Sequence, residues 1–328
     1  MDSLSRTLPA SWFCSPALYQ LERRAVFLKS WHFLGPVTRF QKRNEPVVYD
    51  IAQVKIMVEN RSPYSEEINT DGIVVFADEK NRRIKSHLTA SGLVFATLSM
   101  DTPTFDEYFP GLEQLTNTVD FTKLPHRRSI SYEGRFNWKT MIDGFQECLH
   151  CQYTHPTFSK YYPLTFYSVT NHTTWSQHVA DPSKPADGLF LYFFPISTLN
   201  VYGGGMSSFR TLPSTNPGVA RMVFDYYHSG TEEEFEAYFK FVRQVAMEDF
   251  ELCEKAQENL ERGIYGEGIL NPVKENGVLF YQGRVRECVY RQFETEKAKK
   301  EAREQKNWEM GEATISGVVV NEATVAVK

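Results

Sequence analysis

Two histidines five residues apart, His150 and His155, close the run Asn137-Trp138-Lys139-Thr140-Met141-Ile142-Asp143-Gly144-Phe145-Gln146-Glu147-Cys148-Leu149-His150-Cys151-Gln152-Tyr153-Thr154-His155-Pro156. Imidazole is a common metal ligand, and two imidazoles with one carboxylate form the facial set that holds Fe(II) and leaves positions open for O2 and substrate. Five residues of helix turn through about 500°, which would hold the two rings roughly 140° apart and unable to share an ion. A helix carrying His150 must therefore end before His155. Pro156 disfavours the helical conformation at His155, so the second imidazole is free to swing back toward the first.

The same run offers other chemistries. Cys148 and Cys151 form C-x-x-C, which with either histidine could hold Zn, but no second pair follows and Cys14, Cys253 and Cys288 stand alone. A c-type haem would need histidine where Gln152 stands. An odd set of five cysteines in 328 residues fits a reducing compartment, so Cys148 and Cys151 are expected as buried thiols beside the site. Asp143 could accept a hydrogen bond from a ligand histidine, or simply cap the helix or face water.

The elements that must position these groups follow from periodicity. Residues 15–33 space Leu18, Leu21, Val26, Phe27 and Trp31 as a helix does, with Ser15 and Pro16 at its start. From 36 to 100 the pattern becomes short β-rich runs separated by turn residues, and a proline-bearing connection follows. SISYEGRFNWKT reads as strand and MIDGFQECLHCQ as helix. Residues 188–228 alternate aromatic and small side chains as antiparallel strands do, so Phe190, Tyr192, Phe194, Tyr202, Phe224 and Tyr226 either line a pocket over the metal or fill the core. Gly203-Gly204-Gly205 lacks the setting of a nucleotide fingerprint and reads as a turn. A long amphipathic helix then runs to Gly263, a second starts at VLFYQGRV and becomes highly charged, and the last residues read as a loose tail.

Composition bounds the function. A net charge of -5 and a pI near 6.0 give no basic field for nucleic acid. No run approaches the roughly 20 apolar residues of a membrane span and no signal-like start is present, so the expectation is a soluble cytoplasmic protein.

At the histidine run the sequence resembles the Rieske non-haem iron oxygenase alpha subunits, in the choline and carnitine monooxygenase branch, whose NWK…E-C-x-H-C-x-x-x-H-P stretch carries both histidine ligands. LPASWFCSPALYQLERRAVFLKSWHFLGPV is similar to that family's N-terminus, and GLVFATLSMDTPTFDEYFPGL to its interdomain junction. AMEDFELCEKAQENLERGIYGEGIL resembles the late helix that supplies the third iron ligand, placing that role on Asp249, with Glu248 beside it as the other carboxylate. Glu147, one helical turn before His150, takes the position of the acid that relays electrons from a neighbouring subunit's Rieske cluster.

The resemblance implies an α+β chain with a helix-grip catalytic domain and antiparallel sheet: residues 1–36 a helical segment packing on it, 37–100 a shortened all-β Rieske-like section, 101–310 the mononuclear iron domain, and 311–328 a flexible tail. A Rieske centre needs C-x-H and C-x-x-H, yet no cysteine lies between Cys14 and Cys148, so no [2Fe-2S] cluster is expected in this chain. The expected activity is O2-dependent oxidation of an apolar, aromatic or polyketide-like small molecule. Electrons would come from an external donor, a Rieske-bearing subunit or the substrate, and the family's homo-trimer is the implied assembly. The alternative is a non-redox metalloenzyme catalysing hydrolysis, isomerisation or cyclisation at the same centre.

Overall fold

The computed structural model describes residues 4–43, 45–61, 72–77, 82–163, 165, 167–179 and 188–322, with side chains as far as 308. After a short turn of helix, α1 (Ser11–Cys14), Ser15 accepts a hydrogen bond from Leu18 N–H and starts α2 (Pro16–Ala25). The helix is shorter than its spacing predicted. Trp31–Pro36 is instead strand β1, with Trp31 opposite Thr97 in an antiparallel pair. All six of its residues are buried, and an apolar run without alternation does not distinguish such a strand from a helix.

The β-rich section forms two small sheets. β1 joins β6 (Lys85–Leu88) through β7 (Leu93–Thr97) in the order β1-β7-β6. β2 (Val47–Ile51), β3 (Val54–Asn60), β4 (Ile73–Ala77) and β5 (Arg82–Arg83) pair in sequence order. Ala52 and Gln53, both at positive φ, make the tight turn between β2 and β3 that matches strand twist.

Two short helices, α3 (Phe105–Tyr108) and α4 (Leu112–Thr116), lead to the larger layer. Its strands are β8 (His126–Gly134), β9 (Ser168–Asn171), β10 (Trp175–Val179), β11 (Leu189–Phe193), β12 (Ser197–Tyr202), β13 (Gly205–Pro213) and β14 (Ala220–His228). They pair antiparallel in the order β8-β14-β13-β12-β11-β10-β9. Between β8 and β9 the chain makes α5 (Trp138–Phe145), α6 (Cys151–Thr154) and α7 (Pro156–Tyr161).

A 30-residue helix, α8 (Glu232–Glu261), follows the sheet; Thr231 and Glu234 close a capping box at its start and Gly263 ends it at φ 68. One core joins Met141 and Ile142 of α5, Phe235, Val242 and Ala246 of α8, and Tyr202, Phe209 and Phe224 of the sheet. The last helix, α9 (Asn276–Glu322), carries helical backbone into the segment expected as a tail from 311. Residues 323–328 lie outside the described ones.

The N-terminal segment is tied to the centre of the chain by charge. Lys139 of α5 donates to both carboxylate oxygens of Glu22 of α2 at 2.7 and 2.9 Å, Trp138 Nε1 donates to the same group at 3.0 Å, and both charged side chains are fully buried.

Candidate metal centre

α5 starts where Asn137, itself buried, accepts from Lys139 N–H and donates to the carbonyls of Phe13 and Pro217. It ends at Phe145, earlier than predicted, because the next residue is held from three sides. The buried Gln146 amide donates to Ser176 Oγ and Gly277 O and accepts from His178 Nε2, and a side chain at Gly277 would sit 2.3 Å from Gln146 O. Glu147 is therefore not on a helix with His150, as its spacing suggested. His150 begins the single turn α6, and His155 leaves it at φ -119, ψ 63, the non-helical conformation that Pro156 dictates.

The two imidazoles lie 5.2 Å apart between ring centres and face one carboxylate. Asp249 Oδ1, from α8, is 3.3 Å from His150 Nε2 and 2.9 Å from His155 Nε2. The opposite ring nitrogens are taken as well: His150 Nδ1 meets Glu147, and His155 Nδ1 meets Glu248 Oε2 at 2.8 Å. Acids at both Nδ1 atoms fix the rings so that both Nε2 atoms point at one place, the outer-shell arrangement that orients metal-binding histidines. The sequence left Glu248 as a rival ligand and left Asp143 open between orienting a histidine, capping the helix and facing water. In the structure Glu147 and Glu248, not Asp143, lie at the Nδ1 atoms of the two histidines. Asp143 instead hydrogen-bonds Tyr281 and, at 2.6 Å, Gln282 of α9, and burial lifts its carboxyl to about 7 against those bonds.

Electrostatics agree with a cation-binding constellation. Burial opposes charge on His150, but Asp249 and Glu147 outweigh it and raise the imidazole to about 10. His155 rises likewise, burial being outweighed by Asp249 and Glu248. Asp249 is lowered because the two imidazoles overcome its desolvation.

Cys148 and Cys151 form a disulfide, not the pair of thiols expected from cysteine usage. Cys151 Sγ lies 3.9 Å from His150 Nε2, and a ligand set of His150, Cys151 and His155 could be drawn within 4.8 Å. Zinc sites of that type use thiolates, which a disulfide does not provide. Asp249 is the third donor the geometry supplies.

A cavity of about 130 Å³ opens onto this group between α5, α8 and the sheet. Of the six strand aromatics left open between pocket and core, Phe190, Tyr202 and Phe224 line this cavity and Tyr192, Phe194 and Tyr226 do not. Tyr192 shares a face with Phe190 but lies further along the strand, its hydroxyl on Pro195 O and its ring against Tyr281. Phe194 is buried in the core just beyond β11, and Tyr226 packs on Phe239. Alternation selects a face, not a depth. Phe145, Phe158, Tyr162, Tyr167 and Phe209 also line the cavity and were missed, although Phe209 alternates within β13. A second cavity of about 420 Å³ shares Glu147, His150 and Asp249 with the first, and its wall mixes apolar residues such as Leu252, Tyr265 and Ile269 with the acids Asp143 and Glu275.

His178, in the cavity wall, is held between Tyr167 Oη at 2.7 Å and Gln146 Oε1 at 2.8 Å, and burial lowers it to about 3. Burial lowers His32 to about 4. An unfolded histidine protonates near pH 6.5. Stability from these neutral rings is therefore complete above about pH 6.5 and lost as pH falls toward 4 and 3. The urea midpoint is expected to drop between pH 7 and pH 4.5, with a shallower drop in His178→Gln; equal slopes would refute the assignment.

It belongs to the ring-hydroxylating alpha subunit family of oxygenases, whose catalytic domain it matches over residues 121–183 and 168–291, just over half of the chain. That domain uses a mononuclear non-haem iron. The carnitine monooxygenase oxygenase subunit of Escherichia coli K12 is 22% identical across 80% of this chain and 86% of its own. The chloroplastic choline monooxygenase of Spinacia oleracea is 22% identical across 80% of this chain and 74% of its own. Among solved structures, the quaternary ammonium Rieske monooxygenase CntA with L-carnitine superposes at a TM-score of 0.74 and 18% identity, covering 87% of this chain and 96% of that one. This last likeness speaks for the fold. Among the described residues no helix is long and apolar enough to cross a membrane.

Proposed function

We propose that His150, His155 and Asp249 hold one iron and that the chain oxidises a compact small molecule with O2. The observation that carries this is the convergence of two Nε2 atoms on Asp249 Oδ1 while Glu147 and Glu248 occupy both Nδ1 atoms. A bound iron would supply open coordination positions for O2. The chain's part is to fix the rings, to wall the substrate with aromatic surface, and to pass charge through Glu147.

Electrons are read as coming from a partner or from the substrate, since no cysteine stands between Cys14 and Cys148 to hold a Rieske cluster there. One solved CntA structure concerns inter-subunit electron transfer. Glu147 borders both cavities, which suits it to relay from a donor seated over the larger one. Glu147→Gln, fully loaded with iron, is expected to lower donor-driven O2 consumption about 10- to 100-fold. An unchanged rate would remove the relay.

The substrate body follows from the cavity. Its volume is near the roughly 150 Å³ that accepts a benzene ring, too small for a polyketide. Among the described residues lining it there is no Lys or Arg, so a carboxylate finds no ammonium or guanidinium to pair with. Aromatic faces suit an apolar group or a quaternary ammonium, attracted through cation–π contacts. We infer a substrate of that kind without a carboxylate, unlike the carnitine of the bacterial relative.

Residues 101–310 are read as the helix-grip iron domain. The two small sheets are read as the counterpart of a Rieske domain, with β1 belonging to them through its pairing with β7. The family's trimer is the expected assembly. The test is turnover of candidate amines and alcohols by anaerobically loaded protein: O2 use only with a ferredoxin-type donor supports an oxygenase, and turnover without O2 selects the hydrolytic or isomerising alternative.

A further inference from the structure

Besides His178, the sheet contributes two polar side chains to the aromatic-rich wall of the smaller cavity. Asn200 of β12 and Ser207 of β13 both line it and are directly opposite each other in register. Cross-strand partners project from the same face about 5 Å apart, so the two form one polar spot. Asn200 is 8% exposed. Its Nδ2 donates to Thr198 Oγ1 at 3.4 Å, an oxygen that also accepts Phe209 N–H at 3.2 Å, while its Oδ1 is buried without a partner.

Buried amide oxygens are nearly always hydrogen-bonded, since leaving one unpaired forfeits the water it gave up. One that faces a ligand cavity gains its donor from the ligand. An amide oxygen repels a carboxylate and accepts from O–H or N–H.

We propose that Asn200, with Ser207 beside it, is a hydrogen-bond subsite that selects substrates bearing a hydroxyl or N–H donor. This rests on reading the cavity as the substrate pocket. The subsite would place one end of a compact molecule on the sheet and leave its aliphatic or ammonium body among the rings near the metal centre. It adds a polar requirement that the aromatic wall alone does not impose.

The test uses the full chain, iron-loaded and anaerobic, in calorimetric titrations. One pair of probes is choline and propyltrimethylammonium, in which methyl replaces the hydroxyl. The other is neohexyl alcohol, the uncharged analogue of choline, and its methyl ether. For the body the cavity accepts, the alcohol is expected to bind roughly three- to tenfold tighter than its capped partner. Asn200→Leu should reduce that preference to within about twofold, Ser207→Ala should weaken it partly, and Asn200→Asp, which keeps an acceptor in place, should retain it. Melting temperatures separate misfolding from loss of the subsite. Binding of neither alcohol, equal binding within both pairs, or an undiminished preference in folded Asn200→Leu overturns the proposal. Iron content is scored on the same samples: iron with no hydroxyl preference sinks the subsite alone, and a hydroxyl preference in protein that takes up no iron upholds the subsite while sinking the iron reading.

Discussion

His155→Ala is expected to strip the protein of iron, from near one per chain in anaerobically prepared wild type to less than about a tenth. His155 is almost fully buried and held by two acids of α8 at once, Asp249 on Nε2 and Glu248 on Nδ1, so no mobile neighbour replaces it. Orienting groups alone are worth about 10- to 100-fold in metal affinity, and loss of a ligand exceeds that. His150→Ala should behave the same way, and Glu248→Gln should weaken iron without abolishing it. Metal analysis decides: wild-type iron content in both alanine variants would sink the ligand assignment. The raised imidazoles add a pH signature. Iron must displace protons from His150 and His155, so uptake at pH 7 should release protons and affinity should fall as pH drops from 8 to 6.

Lys139→Met should cost about 3–5 kcal/mol of folding stability, the usual penalty for stranding one partner of a buried ion pair. Glu22 would keep its desolvation and lose its main counter-charge, retaining only the Trp138 N–H. Burial pushes Glu22 up and Lys139 down against their mutual attraction, so neither charge is tolerated alone. The double variant Glu22→Leu/Lys139→Met should recover most of the loss. Chemical denaturation of the three variants measures it, and a single-variant loss under about 1 kcal/mol would refute the pair's role. Because the pair anchors α5 on α2, the single variant should also loosen the segment that presents His150.

Much of this was legible in the sequence, for identifiable reasons. Pro156 constrains the backbone of its neighbour whatever surrounds it, so the non-helical His155 could be read directly. The strands after 188 and the long helix ending at Gly263 follow from periodicity and a single positive φ. Illegible features depend on contacts between distant segments. The end of α5 at Phe145 is imposed by Ser176, His178 and Gly277, and nothing local to Gln146 announces them. Asp143 had the right chemistry to orient a histidine, but α9 claims it. Glu248 could be named only as a rival for Asp249, because deciding which of two adjacent acids meets which ring nitrogen requires the helix and the turn to be docked. The disulfide was unexpected because cysteine number reports on the compartment, not on two residues a single turn apart.

The acids that orient the rings also set the charge count of the centre. Three carboxylates, Glu147, Glu248 and Asp249, face the two imidazoles, so with the acids ionised and the rings neutral a divalent ion held there would leave one net negative charge and a trivalent ion would balance it. Charge near a metal shifts its preference between oxidation states. On the proposed ligand set, the same hydrogen bonds that aim the two histidines would favour the more highly charged ion, so the acids that position the rings would also tune the metal.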